Sequence, residues 1–242
     1  MPSLFAALVA HDPSLPLLTY YDDVSGERTE LSGATLRNWV SKTANLLVDG
    51  CGMASGSQAT VWLPPHWQTA TVLLGCWSAG LAVAYGEPTA AHANVEFASL
   101  EAVRAGAPLG PADRYVLGLA PMGAPLPDPP AGWTDYVTEV RLHGDEFLSA
   151  PMRTDAVALI DPDGSLVTHA ALVERAREHA ARLGMVAGKR VLIDADAYPY
   201  PVDWLVAPLA VGAPMVLCTH TDLAKLPARA ESERTRLIGP TV

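Results

Sequence analysis

Two short runs of this sequence gather residue types that could bind or transform a ligand. The first is Asp161-Pro162-Asp163-Gly164-Ser165, followed by Thr168-His169; the second runs from Asp194 through Asp196 and Tyr198 to Tyr200. A phosphate cradle needs several backbone N–H groups converging from a Gly-rich loop, with hydroxyls and a cation beside them. The first run offers one glycine, two carboxylates and no cation. It reads as a plain hairpin turn, with Asp, Pro, Asp and Gly at the four places a type I turn prefers them. A divalent ion bridging Asp161 and Asp163 to a phosphate is the alternative. The second run follows an apolar strand, and open α/β sheets bind ligands beyond the C-terminal ends of their strands. Asp194 and Asp196 are thus the best-placed polar residues for a ligand, with satisfaction of backbone donors as the competing role. Tyr198 and Tyr200 read as packing residues before pocket walls. His169 falls in a first helical turn, where packing or solvent contact is expected.

The elements that must position these residues follow from periodicity. Ala156 to Ile160 and Ser165 to Thr168 read as the two strands of a hairpin. Thr168 can cap the helix that follows, whose apolar face is Leu172, Ala176, Ala180 and Leu183. Val191 to Ile193 reads as a buried strand. Earlier in the chain, Pro16 to Asp22 and Glu27 to Leu31 form a hairpin about the turn Asp23 to Gly26. Ser32 then caps a helix with Leu36, Val40, Ala44 and Leu47 on one face. A strand at Ala59 to Leu63, an apolar helix to about Ala79 and a strand at Leu81 to Tyr85 complete the series. These strands are continuously apolar, as burial on both faces of a parallel sheet requires.

The same order occurs twice. Gly52, Met53, Gly56 and Gly80 return as Gly184, Met185, Gly188 and Gly212, offset by 132, while Leu36, Ala44 and Leu47 return as Leu172, Ala180 and Leu183, offset by 136. The difference is about one helical turn, which places the extra length in the first helix or its exit. Between the copies, seven prolines fall from Pro108 to Pro130. A helix is expected near Val95 to Ala105, a strand near Arg114 to Leu119 and a short element within Trp133 to Leu142.

The stretch from Asp155 to Leu183 resembles the phosphate-loop region of the adenylate-forming superfamily, the AMP-dependent acyl-CoA synthetases and ligases. There a Ser/Thr/Gly run ends in Pro-Lys-Gly and is followed by Thr/Ser-His and a helix. Pro162-Asp163-Gly164 matches that end and Thr168-His169 matches the later pair. The Ser/Thr/Gly run is absent and Asp163 stands where the family has lysine, which turns attraction for a triphosphate into repulsion. The family's aromatic and histidine after the later strand are here Tyr198 and Tyr200 without a histidine. Leu63-Pro64, Gly75, Ala79-Gly80 and the run from Gly184 to Leu192 are similar to further family segments. The segments that would supply adenine and ribose contacts and the C-terminal lysine are not in this sequence.

Composition narrows the function classes. Half of the 242 residues are apolar and 17% are charged, which suits a folded core. A net charge of −10 with scattered Lys and Arg argues against nucleic acid and anionic membranes. Cys51, Cys76 and Cys218 form no CxxC pair and read as buried thiols of a cytoplasmic protein. The apolar segment Ala70 to Tyr85 is too short and too interrupted to span a membrane. No GxSxG, HExxH or GxGxxG stands in the right context, and no metal or cofactor is expected.

The fold class expected is α/β, two similar parallel-sheet subdomains as in the N-terminal region of AMP-dependent synthetases. The first would span residues 1–120 and the second 152–242, joined by a Pro/Gly-rich connection at 121–151. The resemblance implies a degenerate synthetase-like protein that is non-catalytic alone. It would act through a protein partner or a small acyl or nucleotide-like ligand. An adenylate-forming ligase completed by a second chain and a structural homo-oligomer are the alternatives. A homodimer is expected to form near the apolar tail, residues 237–242.

Overall fold

Two hairpins and the helices they launch set the architecture. The computed structural model describes residues 2–86, 93–106, 113–148 and 153–238. After α1 (Pro2–His11), the first hairpin pairs β1 (Pro16–Asp22) with β2 (Arg28–Ser32) and opens α2 (Gly33–Asn45). The second pairs β8 (Val157–Ile160) with β9 (Leu166–Thr168) and opens α6 (His169–Arg182). In each, the last strand residue caps the helix. The Ser32 hydroxyl accepts the Thr35 N–H at 3.1 Å, and the Thr168 hydroxyl accepts the Ala171 N–H at 3.2 Å. Both hairpins slip register at the same place, between Pro16 and Leu18 and between Val157 and Leu159.

From α2 the chain passes through a π-helical turn, Leu46–Gly50, into β3 (Gln58–Trp62), α3 (Trp67–Ser78) and β4 (Ala82–Tyr85). From α6 it passes directly to β10 (Val191–Asp194), a π-helical turn at Val202–Val206, α7 (Ala207–Ala210) and β11 (Met215–Thr219). The π turn at Leu46–Gly50 accounts for the extra helical length that separates the two sequence offsets. Gly80 (φ 83°) and Gly212 (φ 65°) make left-handed bends just before β4 and β11, a conformation that costs glycine little.

Two mixed but largely parallel sheets result, in the α/β class expected. One has five strands in the order β12 (Arg236–Ile238), β10, β11, β1, β2. The other has seven: β7 (Thr134–Asp135), β6 (Asp113–Leu117), β5 (Val95–Ser99), β3, β4, β8, β9. Among the described residues, only the hairpin pairs are antiparallel. The hairpins are exchanged between the two halves. β1 lies parallel to β11, with Leu18 opposite Met215, and β8 lies parallel to β4, with Leu159 opposite Val83. Spans 1–120 and 152–242 therefore do not bound the sheets, since each sheet takes a hairpin from the other half. Local periodicity specifies that a segment is a strand, not which distant edge satisfies its backbone.

Residues 95–105, expected as one helix, are instead β5 followed by the one-turn α4 (Leu100–Arg104), with Ser99 capping it. Val95, Phe97 and Ala98 are buried between β3 and β6, so burial on both faces outweighs helix propensity. Tyr136–Val140 forms the short α5, and Leu226–Ser232 forms α8. Trp67, Trp77 and Trp204 are fully buried, as are Cys76 and Cys218, while Cys51 is half-buried. Among the described residues, no helix is long and apolar enough to cross a membrane. The last four residues of the expected contact tail, 239–242, lie outside the described residues; within it Leu237 is partly exposed on the edge strand β12.

Candidate functional site

The turn Asp161 to Gly164 is closed on itself. The Gly164 N–H donates to the Asp161 carbonyl at 2.8 Å, and Asp163 Oδ1 accepts the Ser165 N–H at 2.9 Å. Asp161 faces inward. Its two carboxylate oxygens take both guanidinium arms of Arg175 at 2.9 Å each, and Oδ1 also accepts the Tyr200 hydroxyl at 3.0 Å. Pro162 sets the turn between the two carboxylates. Asp161 is thus committed to fixing the hairpin on α6 and on the segment after β10, while Asp163 closes the turn. Tyr200 belongs to that tie, with its phenol pushed well up by burial and by the bond to Asp161.

Exchanging Asp161 for alanine leaves a guanidinium and a phenol without their shared partner. Asp161→Ala is expected to cost about 2 kcal/mol in urea unfolding, in the range for charge-assisted bonds. Asp163→Lys, at a fully exposed position, is expected to leave the melting temperature nearly unchanged. Equal effects at the two positions would contradict this division of roles.

Thr168 is occupied as the helix cap. His169 is buried, with neither ring nitrogen hydrogen-bonded, and burial pushes its pKa down to about 4. Asp194, also buried, accepts the Thr221 hydroxyl at 2.8 Å and the Asp196 N–H at 3.2 Å. Asp196 accepts the N–H groups of His220 at 3.2 Å and Thr221 at 2.7 Å. Both carboxylates therefore order the loop after β11. Tyr198 is partly buried against the core.

Asp196 nonetheless stands in a crevice of about 270 Å³ where the C-terminal ends of the two sheets face each other. Tyr20 and Asp22 reach it from β1, Thr219 from β11, His220 from just after β11, His66 from after β3, and Glu101 from after β5. Tyr20 and Thr219 join their hydroxyls at 2.8 Å, with the Tyr20 phenol pushed well up by burial. His220 Nδ1 lies 2.9 Å from Asp22 Oδ1. Burial works to raise the Asp22 pKa, but hydrogen bonds from Ser25, the Val24 N–H and His220 outweigh it and hold the carboxyl below its usual value. Two crevice residues, Leu119 (φ 52°) and His220 (φ 47°), sit in the left-handed region that non-glycine residues seldom occupy.

The imidazole of His66 forms part of the crevice wall and is buried. Its Nδ1 accepts the Gln68 N–H at 3.1 Å, which caps α3 and leaves the proton on Nε2. Nε2 has no hydrogen-bond partner; Glu27 Oε2 is 3.8 Å away. Burial lowers the His66 pKa, with Glu27 opposing. A second, more apolar cavity of about 480 Å³ adjoins along Pro64, Pro65, Ser99 and Glu101 and continues to Trp62, Tyr85 and Pro199. Of the expected site residues, only Asp196 enters the first cavity, and none of those named lines the second. The remaining crevice residues come from separate segments, and their one shared signal is a place at the end of a parallel strand.

Over 233 residues the chain is 39% identical to a "TIGR03089 family protein" of Mycobacterium tuberculosis, a match covering 94% of this chain and 93% of that protein. The chain belongs to the TIGR03089 family. No protein-family model matches it. Among solved structures, this TIGR03089-family chain is similar in fold to an acyl-CoA synthetase of Brucella canis (TM-score 0.76, 17% identity), with 97% of this chain and 46% of that chain covered. It is similar to a benzoate CoA ligase of Burkholderia xenovorans (TM-score 0.71, 17% identity), covering 94% of this chain and 47% of that one. It also matches the N-terminal domain of FACL13 from Mycobacterium tuberculosis (TM-score 0.68, 14% identity), covering 97% and 61%. The fold is that of the N-terminal part of acyl-CoA synthetases, and the chain spans about half the length of the first two. Among the described residues, no cluster of three or more His, Cys, Asp and Glu is placed to hold a metal ion.

Proposed function

We propose that this TIGR03089-family chain binds a small molecule in the crevice at the C-terminal ends of its two sheets and does not form acyl-adenylates on its own. The observation that carries the reading is the commitment of Asp161 to Arg175 and Tyr200. It leaves the closed turn without the cation and converging N–H groups that a triphosphate requires. The crevice, by contrast, keeps polar groups facing open space. The use of one element order in both halves, with exchanged hairpins, supports descent from a duplicated unit. On this view the ligand site persists where the two halves meet.

The test is carboxylate-dependent exchange of pyrophosphate into ATP by the pure protein. Exchange is expected to stay at background across aliphatic and aromatic carboxylates, and Asp163→Lys alone is expected not to create it. A dose-dependent signal would overturn the reading.

A further inference from the structure

Among the described residues, four that are not glycine have left-handed backbones, and two of these, Leu119 and His220, line the crevice from opposite sheets. Such conformations are unfavourable for residues with a Cβ and persist where surrounding contacts enforce them. At His220 the contacts are explicit. Its N–H donates to Asp196 Oδ1 at 3.2 Å, and the next N–H, that of Thr221, donates to Asp196 Oδ2 at 2.7 Å. Its ring is fixed by Asp22, the last residue of β1, whose Oδ1 lies 2.9 Å from Nδ1. Main chain and side chain are thus held by two carboxylates from different strands.

The Asp22 carboxylate is itself fixed. The Val24 N–H and the Ser25 hydroxyl donate to it at 2.9 and 2.6 Å, so it remains an acceptor and Nδ1 carries the proton. Nε2 is then the basic nitrogen of the neutral ring, with no hydrogen-bond partner among the described residues. The His220 side chain is 63% exposed where it lines the crevice. His66 differs, since its Nδ1 is spent on the cap of α3. An exposed ion pair contributes little to stability and does not offset a strained backbone. A carboxylate that fixes the tautomer of an imidazole, with the other nitrogen open to a cavity, is the arrangement of a general base.

The surroundings select the substrate. Among the described residues, no Lys or Arg lines this crevice or the larger apolar cavity beside it. An anionic compound would meet Asp22, Asp196 and Glu101 with no cation to offset them. A neutral one would not, and Trp62, Leu63, Tyr85 and Ala102 offer an apolar body its place in the larger cavity. Ser99 lines both cavities. Its oxygen accepts the Ala102 N–H at 3.1 Å, and its own hydrogen goes to no described group. That hydroxyl is the donor available to a developing oxyanion.

We propose that His220, positioned by Asp22, is the general base of a hydrolytic site for small neutral esters with an apolar acyl chain. Nε2 takes a proton from water as the water oxygen bonds to the ester carbonyl carbon. The tetrahedral intermediate then breaks its bond to the leaving oxygen, which takes the proton back from Nε2–H. The products are an alcohol and a carboxylic acid, and the acid loses its proton to solvent. The resulting carboxylate is repelled by Asp196 and Glu101, which favours its release. This proposal rests on the ligand-crevice reading above but not on the absence of adenylation, which pyrophosphate exchange tests separately.

The experiment is hydrolysis of 4-nitrophenyl butyrate by the full chain near neutral pH. The wild type is expected to saturate with substrate, to release nitrophenolate without a burst and to run slower in D2O. His220→Asn is expected to lower kcat about a hundredfold, the scale of general-base catalysis. It should unfold no earlier than the wild type, because asparagine tolerates a left-handed backbone. Asp22→Asn is expected to lower kcat with KM unchanged, as loss of a positioning group requires. His11→Gln, at an exposed position outside both cavities, should leave the rate unchanged. No saturable hydrolysis, a burst, or full activity in His220→Asn would each overturn the proposal. Saturation, the burst and the solvent isotope effect read the wild type and need no variant to fold. Background pyrophosphate exchange together with no ester hydrolysis would remove His220 as a base and leave the non-adenylating reading standing.

Discussion

Acidification from pH 7 to pH 5 is expected to cost this protein about 2 kcal/mol through His169 alone. The imidazole opens α6 yet is only 3% exposed, with neither nitrogen hydrogen-bonded. Burial disfavours its charged form and holds the folded pKa near 4, against an ordinary value of 6.5. Above about pH 6.5 the ring is neutral in both folded and unfolded chains, and its full contribution is present. Between 6.5 and 4 the unfolded chain takes up a proton that the folded chain refuses, so stability falls with pH. Below about 4 both states are protonated and the loss is complete, at about 3 kcal/mol. The lowered pKa of buried His66 adds a loss of the same sign.

Depressed carboxylates act lower on the scale. Asp23, held near 2 first by its bond to Arg229, keeps its contribution until the pH falls through the acid range toward that value. The interval between pH 7 and pH 5 therefore isolates the histidines. His169→Met removes the titration while filling the same space, and should cost little at pH 7 because no hydrogen bond is lost. Urea unfolding at both pH values reads the difference: the wild type should lose about 2 kcal/mol more than His169→Met. Parallel losses in the two proteins would place His169 in a solvated setting.

His169 also shows where sequence reading reaches its limit. Its place in the first turn of a helix followed from Thr168 and the apolar spacing behind it, because caps and periodicity are local. So did the hairpin about Asp161, the bends at Gly80 and Gly212, and the strand Pro16 to Asp22. Its burial was not local, since it depends on what packs over the hairpin. The exchange of hairpins is of the same kind. Nothing near Leu18 names Met215 as its neighbour, and nothing near Val83 names Leu159. The crevice inherits this distance, for Tyr20 meets Thr219 across 199 residues of sequence. The polar run from Asp194 to Tyr200 was visible as polar, but its bonds are mostly internal. Strand β5 is not legible locally, because Val95, Phe97 and Ala98 are buried from both sides, a fact set by neighbours contributed from elsewhere in the chain.

Gly75→Val is expected to destabilise the protein by about 3 kcal/mol or more. Gly75 lies inside α3, where glycine would ordinarily cost about 1 kcal/mol relative to alanine. The close approach of α2 explains why it stands there. A Cβ built on Gly75 falls 2.5 Å from both Cβ and Cγ2 of Thr43, and 3.4 Å from the Val40 carbonyl. Thr43 cannot swing away freely, because its hydroxyl donates to the Trp39 carbonyl at 2.8 Å and lies 2.7 Å from the hydroxyl of buried Tyr136. Even Gly75→Ala must push the helices apart, so the clash should outweigh the gain in helix propensity by about 2 kcal/mol. Gly52 supplies the contrast. It has φ +67° with nothing within 4 Å of an added Cβ, so Gly52→Ala should cost about 1 kcal/mol from backbone strain alone. Urea midpoints of the three variants test the ranking. A double-mutant cycle of Gly75→Ala with Thr43→Gly then tests the cause, since removing the Thr43 side chain should relieve much of the alanine's cost. Additive effects in that cycle would show that the approach of α2 to α3 is not what requires glycine at position 75.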